Sequence, residues 1–421
     1  MLPDDGKTVG HQQAKTPAWL NETFFEDIFI EKQGLDRGKF KVKINSTIPT
    51  GGAGENYTST LYRANVDAVC DDGSVNTLKV MVKAMIPAPD LKGFSVFARE
   101  KHFYEETLPA MEQMWTEAGE TMRFGPRCWK TNEGETELIV LDDLGAEGYS
   151  VGNRQLGANL EHVHVLLAKL AKFHAAGAMH YKKNGAMPSP YNDLLLLIPD
   201  GRESMEKYFN AIIPAFMESL SNSSGYERYK AKLVKSMENI FEKLSVALTK
   251  DDSAFVTLCH GDVWTNNHMF SYHGSGAPKD VLLVDYQGPY YGSPVGDVIY
   301  YIISSTSLEL KTSTHFDELI QYYQKQLAEG LKKLNYPGAI PSLRDIHIEI
   351  LKRGFFGFHC LYTTLPVVLA DKSDNSHCAG FHGDAEENHK FRNDLFKNPL
   401  YHEHLRAVLK MFDVRGLLEF D

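Results

Sequence analysis

The stretch Leu258–Asn267 (LCHGDVWTNN) combines residue types that carry out phosphoryl transfer in kinases. Asp262 precedes Asn267 by five residues, and Asp285 follows at the end of the apolar run 282–284. In kinase catalytic loops an aspartate orients the attacking hydroxyl, and an asparagine five residues later binds Mg²⁺. A second aspartate, after the next strand, also binds Mg²⁺. The spacing therefore predicts one carboxylate that orients an acceptor and two metal ligands.

Each of these residues also has a plainer interpretation. Asp262 and Asn267 could be turn formers, because Asp and Asn favour loops, and Asp285 could cap a turn. The strand predicted before the motif and the order of the three residues favour the catalytic interpretation. His260 is predicted to brace the loop backbone rather than to act as a base. Asp297 is predicted to stabilise the catalytic loop or to cap the helix that follows.

The elements that must position this loop begin with a β-rich segment. Apolar residues alternate with polar ones over Phe40–Ile44, which is typical of a half-buried strand. Two more strands are predicted at Ser59–Val69 and Leu78–Ile86, separated by a hairpin turn at Asp71–Ser74. A further strand at Glu137–Leu141 runs into a predicted linker that begins with two aspartates.

Helical patterns dominate elsewhere. A helix is predicted over Phe94–Met111, stopped or kinked by Pro109. His174 lies on an apolar stripe and is predicted to be a hydrogen-bonded core histidine. The polar segment Asp371–Lys390 is predicted to be a surface loop, although its triplet His382–Asp384 repeats His-Gly-Asp. Further helical patterns cover Leu160–His174, Glu203–Leu248 and Phe316–Leu334, with a β-rich insert at Val256–Val284.

Other parts of a nucleotide site are present in the expected chain order. Gly52–Gly54 lies between two predicted strands and could cover phosphates with backbone N–H groups, although this short pattern alone is weak. Lys83 lies within a strand, where a kinase lysine reaches the α- and β-phosphates, and Glu100 on the next helix could form its ion pair. The plainer alternatives are that Lys83 is a solvated lysine of an edge strand and that Glu100 is a surface glutamate, because Glu105 and Glu106 share its helix and surface glutamates are common.

Composition limits the function classes. The chain has 421 residues, enough for two or more units, and its net charge of -11 argues against a nucleic-acid binder or a polybasic membrane anchor. Five scattered cysteines without a CxxC pair indicate neither a zinc site nor a disulfide framework, which favours a reducing cytosol. No apolar run is long enough to span a membrane, and the amino terminus has no signal-peptide core.

These patterns together predict an α+β chain with a two-lobed, protein-kinase-like fold. Residues 1–141 form the small β-rich ATP-binding lobe with one main helix, preceded by an extension at 1–35. Residues 142–148 form the hinge. Residues 149–421 form the larger, mostly helical lobe with the catalytic loop and the acceptor site. The sequence leaves the oligomeric state open.

Details of the motifs differ from those of protein kinases. The residue after His260 is glycine rather than arginine, and the short segment Tyr286–Gly296 leaves little room to dock a peptide. The sequence instead resembles the ecdysteroid kinase-like (CHK kinase-like) family of the aminoglycoside phosphotransferase and choline kinase superfamily. The resemblance departs mildly at Tyr286, where Phe is usual, and at Asp142, where Glu is commoner. The matching blocks are Gly54–Tyr57, Val82–Lys83, Phe97–Tyr104, Leu141–Leu144, Leu170–Ala175, His260–Asn267, Asp285–Gln287, Tyr291–Pro294 and Asp297.

The resemblance implies ATP and Mg²⁺ as cosubstrates and the hydroxyl of a small molecule as acceptor, most characteristically an ecdysteroid. It implies that Asp262 orients and deprotonates this hydroxyl, while Asn267 and Asp285 hold Mg²⁺. Two rivals stay open: a kinase for choline-like or aminoglycoside-like cations, and a catalytically silent ligand-binding relative. The implied nucleotide-binding residues are Gly54, Glu55, Asn56, Lys83 and Glu100, with backbone groups of Asp142 and Leu144 at adenine.

Bulky apolar residues bear on the choice of acceptor. Trp264 lies two residues after Asp262, and the run Phe355–Tyr362 is rich in aromatic side chains. Both suit a large lipophilic acceptor better than a small cation. The run is equally typical of ordinary helix core.

Overall fold

The computed structural model describes residues 16–50, 59–85, 96–133, 136–185, 199–371 and 385–419. These residues form an α+β protein of the kinase-like type that divides into two compact units. The described residues of the smaller unit fall within Met1–Gly52, Thr58–Pro87 and Arg127–Asp143. Those of the larger unit fall within Ala88–Pro126 and Leu144–Asp421.

The smaller unit is an antiparallel sheet with one helix packed on it. The elements of this unit are α1 (Glu22–Gln33), β1 (Phe40–Thr50), β2 (Ser59–Cys70), β3 (Val75–Met85), β4 (Cys128–Glu133) and β5 (Glu137–Asp142). The strands lie in the order β1-β2-β3-β5-β4, so β3 is central. All the strands predicted for this region are therefore confirmed.

Helix α1 lies inside the segment that the sequence suggested to be a mere extension. The side chain of Asn21 caps its first turn by accepting a hydrogen bond from the N–H of Phe24. Phe25, Ile28 and Phe29 are fully buried and belong to the same apolar cluster as the sheet residues. Their three- and four-residue spacing places them on one helix face, so α1 completes the core of the smaller unit.

The larger unit begins with a helical run that contains Pro109. Helix α2 (Val96–His102) continues through one π-helical turn at Phe103–Thr107 into α3 (Leu108–Glu117). The prediction that Pro109 stops the helix is wrong. Pro109 is the second residue of α3, where its missing N–H costs little, and the widened turn precedes it.

Most of the larger unit is helical. The short β6 (Ser150–Val151) comes first. The helices that follow are α4 (Leu160–Asn184), α5 (Pro199–Ser221), α6 (Lys230–Ser236), α7 (Ile240–Leu248), α8 (Val295–Ser305), α9 (Ser313–Lys333), α10 (Leu343–Arg353), α11 (Phe355–Cys360), α12 (Thr364–Leu369), α13 (Glu386–Lys397) and α14 (Pro399–Asp413). Asn159 caps the long α4, and its side chain accepts a hydrogen bond from the N–H of His162.

Helix α13 corrects the prediction of a surface loop over Asp371–Lys390. Asn388, Phe391 and Leu395 are buried at helical spacing, with exposed charged residues between them. The predicted loop ended before the apolar positions that reveal this period. The triplet His382–Asp384 lies outside the described residues.

A small β-rich insert in the larger unit carries the catalytic motif, as predicted. Strand β7 (Thr257–Cys259) pairs antiparallel with β10 (Tyr290–Gly292). Between them, β8 (His268–Tyr272) and β9 (Pro278–Leu283) form a hairpin, and β6 pairs with β8. The segments that join these strands contain all three residues proposed to carry the chemistry.

Candidate active site

The catalytic loop leaves β7 through a glycine that its geometry requires. Gly261 has φ of 85°, in the left-handed region that favours glycine. A Cβ at this position would collide with the carbonyl oxygen of Gly288. The close approach of these two backbones explains why glycine follows His260, where protein kinases have arginine.

Both oxygens of the Asp262 carboxylate accept hydrogen bonds. The side-chain amide of Asn267 donates to Oδ2 over 2.8 Å and to the backbone carbonyl of Asp262 over 2.9 Å. The hydroxyl of Tyr300, on α8, donates to Oδ1 over 2.7 Å. The loop between Asp262 and Asn267 turns tightly, because the N–H of Asn267 donates to the carbonyl of Trp264. The five-residue spacing thus places the two side chains in direct contact.

The surroundings of Asp262 move the pKa of its carboxyl into the neutral range. Burial is the largest cause and raises the pKa of its carboxyl to about 7, and the nearby charge of Asp285 adds to the rise. Hydrogen bonds from Tyr300 and Asn267 act in the opposite direction, since they stabilise the carboxylate. A group that titrates near neutral pH is suited to accept a proton from a reacting hydroxyl.

Asp285 follows β9 in a left-handed backbone conformation, with φ of 66°. Non-glycine residues adopt this conformation rarely, and they cluster at functional sites. The N–H of Val284 donates to the carbonyl of Asn267 over 2.9 Å, which ties the end of β9 to the start of β8. Asn267, just before β8, and Asp285, just after β9, are thereby held at the same end of one hairpin.

The donor set at this hairpin fits Mg²⁺. Both hydrogen bonds from the Asn267 amide nitrogen go to Asp262, which leaves the amide oxygen as the ligand atom of that side chain. Asp285 adds a carboxylate, and Mg²⁺ prefers oxygen ligands of these types. The two residues predicted as metal ligands are therefore chemically suited to that role, which stays a prediction.

Asp297 holds the loop backbone from the first turn of α8. Its carboxylate accepts from the N–H of His260 over 2.6 Å and from the N–H of Gly261 over 2.9 Å. His174 contributes a third contact through Nε2, at 3.1 Å, and its Nδ1 lies 2.6 Å from the hydroxyl of Tyr323. Burial opposes ionisation of Asp297, but the His174 contact and the other donors outweigh it and hold its pKa below the usual value.

His260 is fully buried beneath the loop. Its Nε2 lies 3.0 Å from the carbonyl of Val284, and its ring packs on Tyr286 with centroids 4.7 Å apart. Burial lowers the pKa of this imidazole, so the neutral form is favoured. These contacts are those of a bracing residue that links the loop to the segment containing Asp285.

His174, Cys259 and Asp297 form a group of potential metal ligands among the described residues, with ligand atoms within 4.8 Å of one another. All three are buried, and the Asp297 oxygens already accept hydrogen bonds from backbone N–H groups. Burial also raises the pKa of the Cys259 thiol well above its usual value, which disfavours the thiolate that a metal needs. The group therefore forms a structural network, in agreement with the core role predicted for His174.

Burial decides between the alternatives for Lys83 and Glu100. Lys83 is only 8% exposed on the central strand β3, where it pairs with Leu61 and Ile139, so the edge-strand alternative is wrong. Glu100, on α2, is fully buried, whereas the neighbouring glutamates 105 and 106 are exposed. Its carboxylate lies 3.5 Å from the side-chain amide of Gln287. Since the two residues belong to different compact units, their ion pair stays a prediction.

Three other residues predicted to bind the nucleotide lie outside the described residues: Gly54, Glu55 and Asn56. The N–H of Asp142 donates to the carbonyl of Arg127, and its carboxylate accepts from the indole of Trp129 over 2.7 Å. The carbonyl of Leu144 accepts from two N–H groups of the following turn. The role at adenine that was predicted for backbone groups of Asp142 and Leu144 stays a prediction.

Tyr300 was not among the site residues predicted from the sequence. Its position three residues after Asp297 could have indicated a role at the site, because residues at this spacing share a face of a helix. A tyrosine in an apolar helix is usually a core residue, so this spacing alone did not distinguish it.

Comparison with known proteins places these features in context. The sequence profile of the ecdysteroid kinase-like family matches residues 53–336, which include all the residues of the proposed centre. Among curated proteins none matches the chain. No helix in the described residues combines the length and the apolar character needed to cross a bilayer.

Proposed function

Because the chain belongs to the ecdysteroid kinase-like family, we propose that it is an ATP- and Mg²⁺-dependent kinase of small-molecule alcohols. Family membership supports phosphotransferase chemistry in general. The observation that carries the specific proposal is Asp262, whose carboxylate is held by Asn267 and Tyr300 beside Asp285. This arrangement matches the acceptor-orienting carboxylate and metal ligands of phosphoryl-transfer sites.

In this proposal Asp262 accepts a hydrogen bond from the acceptor hydroxyl and takes its proton as transfer proceeds. The acceptor oxygen forms a bond to the γ-phosphorus, and the bond to the β–γ bridging oxygen breaks, so ADP leaves. The transition state is loose, so most of the catalytic effect comes from positioning and charge neutralisation. The fixed orientation of Asp262 supplies the positioning on the acceptor side.

Asn267 and Asp285 would hold Mg²⁺, which would neutralise charge on the transferred phosphoryl group. Lys83, supported by Glu100, would bind the α- and β-phosphates. Its burial on a central strand supports this role, because a lysine is seldom buried without a partner of opposite charge. The glycine-containing segment Gly54–Asn56 and the backbone at Asp142 and Leu144 complete the proposed nucleotide site.

We propose a hydroxylated lipophilic compound, such as an ecdysteroid, as acceptor. Trp264 is partly exposed next to Asp262 and offers a large apolar surface there. The run Phe355–Tyr362 is buried, in keeping with helix core, and within it Phe356 stacks on Tyr300. The scattered cysteines, of which Cys259 and Cys360 are buried free thiols, support a cytosolic location.

The test is Mg²⁺-dependent ATP consumption with a panel of ecdysteroids, other hydroxylated sterols, choline and an aminoglycoside. We expect turnover with at least one hydroxylated sterol, and Asp262→Asn should reduce kcat by about 10²–10⁴-fold because it lacks the proton acceptor. The variant should bind Mg-ATP with an affinity close to that of the wild type, measured by calorimetry.

The outcomes separate the candidates. Turnover with choline or the aminoglycoside alone would assign the cation-kinase alternative. Mg-ATP binding without turnover on the whole panel would favour a silent ligand-binding relative. Full activity of Asp262→Asn would exclude the proposed base.

A further inference from the structure

We propose that Tyr300 is a positioning residue for this reaction, which fixes the orientation of the Asp262 carboxylate toward the acceptor hydroxyl. The inference rests on the proposed kinase function and adds a residue that the family motifs used above do not contain. It is carried by the contacts of Tyr300 with three neighbours: Asp262, Thr364 and Phe356.

The hydroxyl of Tyr300 has a defined direction. It lies 2.7 Å from Oδ1 of Asp262 and 3.0 Å from Oγ1 of Thr364. Since the carboxylate can only accept, Tyr300 donates its single proton to Asp262, and Thr364 donates to the oxygen of Tyr300. Thr364 thus ensures that the proton of Tyr300 points at the carboxylate.

The ring of Tyr300 is equally fixed. It stacks on Phe356 with centroids 5.5 Å apart and an angle of 19° between the planes, and its side chain is 7% exposed. Such pairs add stabilisation beyond that from the burial of their surface. A donor that is fixed at both its ring and its hydroxyl can hold the carboxylate without adapting to it.

The Asp262 carboxylate is held by donors from two different elements. Asn267, which holds Oδ2, and Trp264 belong to the loop, and Tyr300, from helix α8, holds Oδ1. The terminal torsion of an aspartate is otherwise broad, so the contact from α8 fixes the carboxylate plane together with those from the loop. Each oxygen can accept a second hydrogen bond, so the acceptor hydroxyl can approach an oxygen that is already oriented.

Asn267 cannot supply this orientation alone, because the proposed mechanism also assigns it to Mg²⁺. Its amide must adjust to metal and nucleotide, whereas Tyr300 has no such second role. Helix α8 holds the loop at two levels: Asp297 binds the backbone of His260 and Gly261, and Tyr300 binds the side chain of Asp262. The two residues are three positions apart and share a face of α8.

The chain offers a matched control one residue further on. Tyr301 belongs to the same helix and is fully buried, but its hydroxyl has no hydrogen-bond partner within the described part of the chain. Tyr301→Phe removes the same atom as Tyr300→Phe, from the same helix, without touching Asp262. A difference between the two variants therefore reports the contact and not the loss of a tyrosine hydroxyl.

The experiment compares kcat and KM of both variants with those of the wild type, using an acceptor from the panel. It is run well below the thermal midpoint of each protein. Tyr300→Phe should lower kcat by about 10–100-fold, because misplacement of a reacting group costs rate in this range. Its KM for Mg-ATP should stay within about 2-fold of the wild type. Tyr301→Phe should keep the wild-type kcat.

Equal kcat values for Tyr300→Phe and Tyr301→Phe would overturn the inference, as would a change confined to the KM for Mg-ATP. If Tyr300→Phe does not fold, Thr364→Val decides, because it removes only the donor that directs the Tyr300 proton. A lowered kcat in that variant supports the inference, and an unchanged kcat overturns it. Inactivity of the wild type on the whole panel would instead reject the proposed function, and this inference with it.

Discussion

Single residues in the catalytic loop are defined by contacts that the sequence only partly discloses. The motif His260–Asn267 predicted which side chains meet, because their roles in phosphoryl transfer fix their spacing. It did not reveal Tyr300, since a donor supplied by a later helix depends on the tertiary fold and not on local spacing. The reason for Gly261 also lies in a distant backbone, that of Gly288.

The first prediction concerns Gly261. Gly261→Ala should lower kcat by more than about 10²-fold, because the Cβ collides with Gly288 and the shift of the loop displaces Asp262. Gly276→Ala is the control, since Gly276 has the same φ of 85° but no atom within 4 Å of the added Cβ. It should cost about 1–2 kcal/mol of unfolding free energy and leave kcat unchanged. Similar kcat values in the two variants would contradict this account of Gly261.

At the scale of elements, apolar periodicity predicted the strands of the smaller unit and the long helix α4. It failed where an element shows its period only over a longer window, as in α13, whose buried Phe391 and Leu395 follow a charged stretch. The expectation that Pro109 stops the helix rested on proline as a helix breaker, and it failed because proline is tolerated in a first helical turn. Contacts between elements, such as that of Arg353 with the end of α7, do not appear in local periodicity, because they join residues far apart in the sequence.

The second prediction concerns Arg353, which closes the carboxyl end of α7 from α10. Its guanidinium donates to the carbonyls of residues 246, 247 and 249 and to the carboxylate of Glu349, and it is buried. Arg353→Met should cost about 3–5 kcal/mol of unfolding free energy, because it leaves a buried carboxylate and helix carbonyls without their donor. Denaturant titration measures this loss.

The neighbouring Lys352 is the control for Arg353. Its side chain is 56% exposed and lies 3.7 Å from the same carboxylate of Glu349. Exposed ion pairs contribute little, so Lys352→Met should change the unfolding free energy by no more than about 1 kcal/mol. A loss at Lys352 as large as that at Arg353 would show that the charge of Glu349, and not the closure of α7, determines the effect.

For the whole molecule, the periodicity and the order of the motifs predicted the fold class but not the ionisation state of its core. Lys311 and His404 are both buried, and Nζ of Lys311 lies 2.6 Å from Nδ1 of His404. Burial lowers the pKa of Lys311 to about 7, and burial together with the Lys311 charge lowers that of His404 to about 3. This pair could not be predicted from the sequence, because Lys311 and His404 meet only in the folded chain.

The third prediction is a pH dependence of stability. Between about pH 7 and 10.5 the unfolded chain binds a proton at Lys311 that the folded chain lacks, so the unfolding free energy rises with pH by up to about 1.4 kcal/mol per unit. Lys311→Met removes this slope and should be up to about 4 kcal/mol more stable than the wild type near pH 7.5, an advantage that shrinks toward pH 10. Thermal midpoints across this range measure both effects, and parallel profiles would contradict the shifted pKa.

The pairing of β7 with β10 has a consequence for the order of folding. Cys259 pairs with Tyr290, so the chain that carries Asp262, Asn267 and Asp285 is a loop closed at its base. Closing a loop of about 30 residues costs less chain entropy than closing a longer one, and contacts of short sequence separation favour fast folding. The helix that supplies Asp297 and Tyr300 follows at once along the chain. The proposed catalytic groups of the larger unit can therefore come together within a short stretch of polypeptide, before its distant helices have docked.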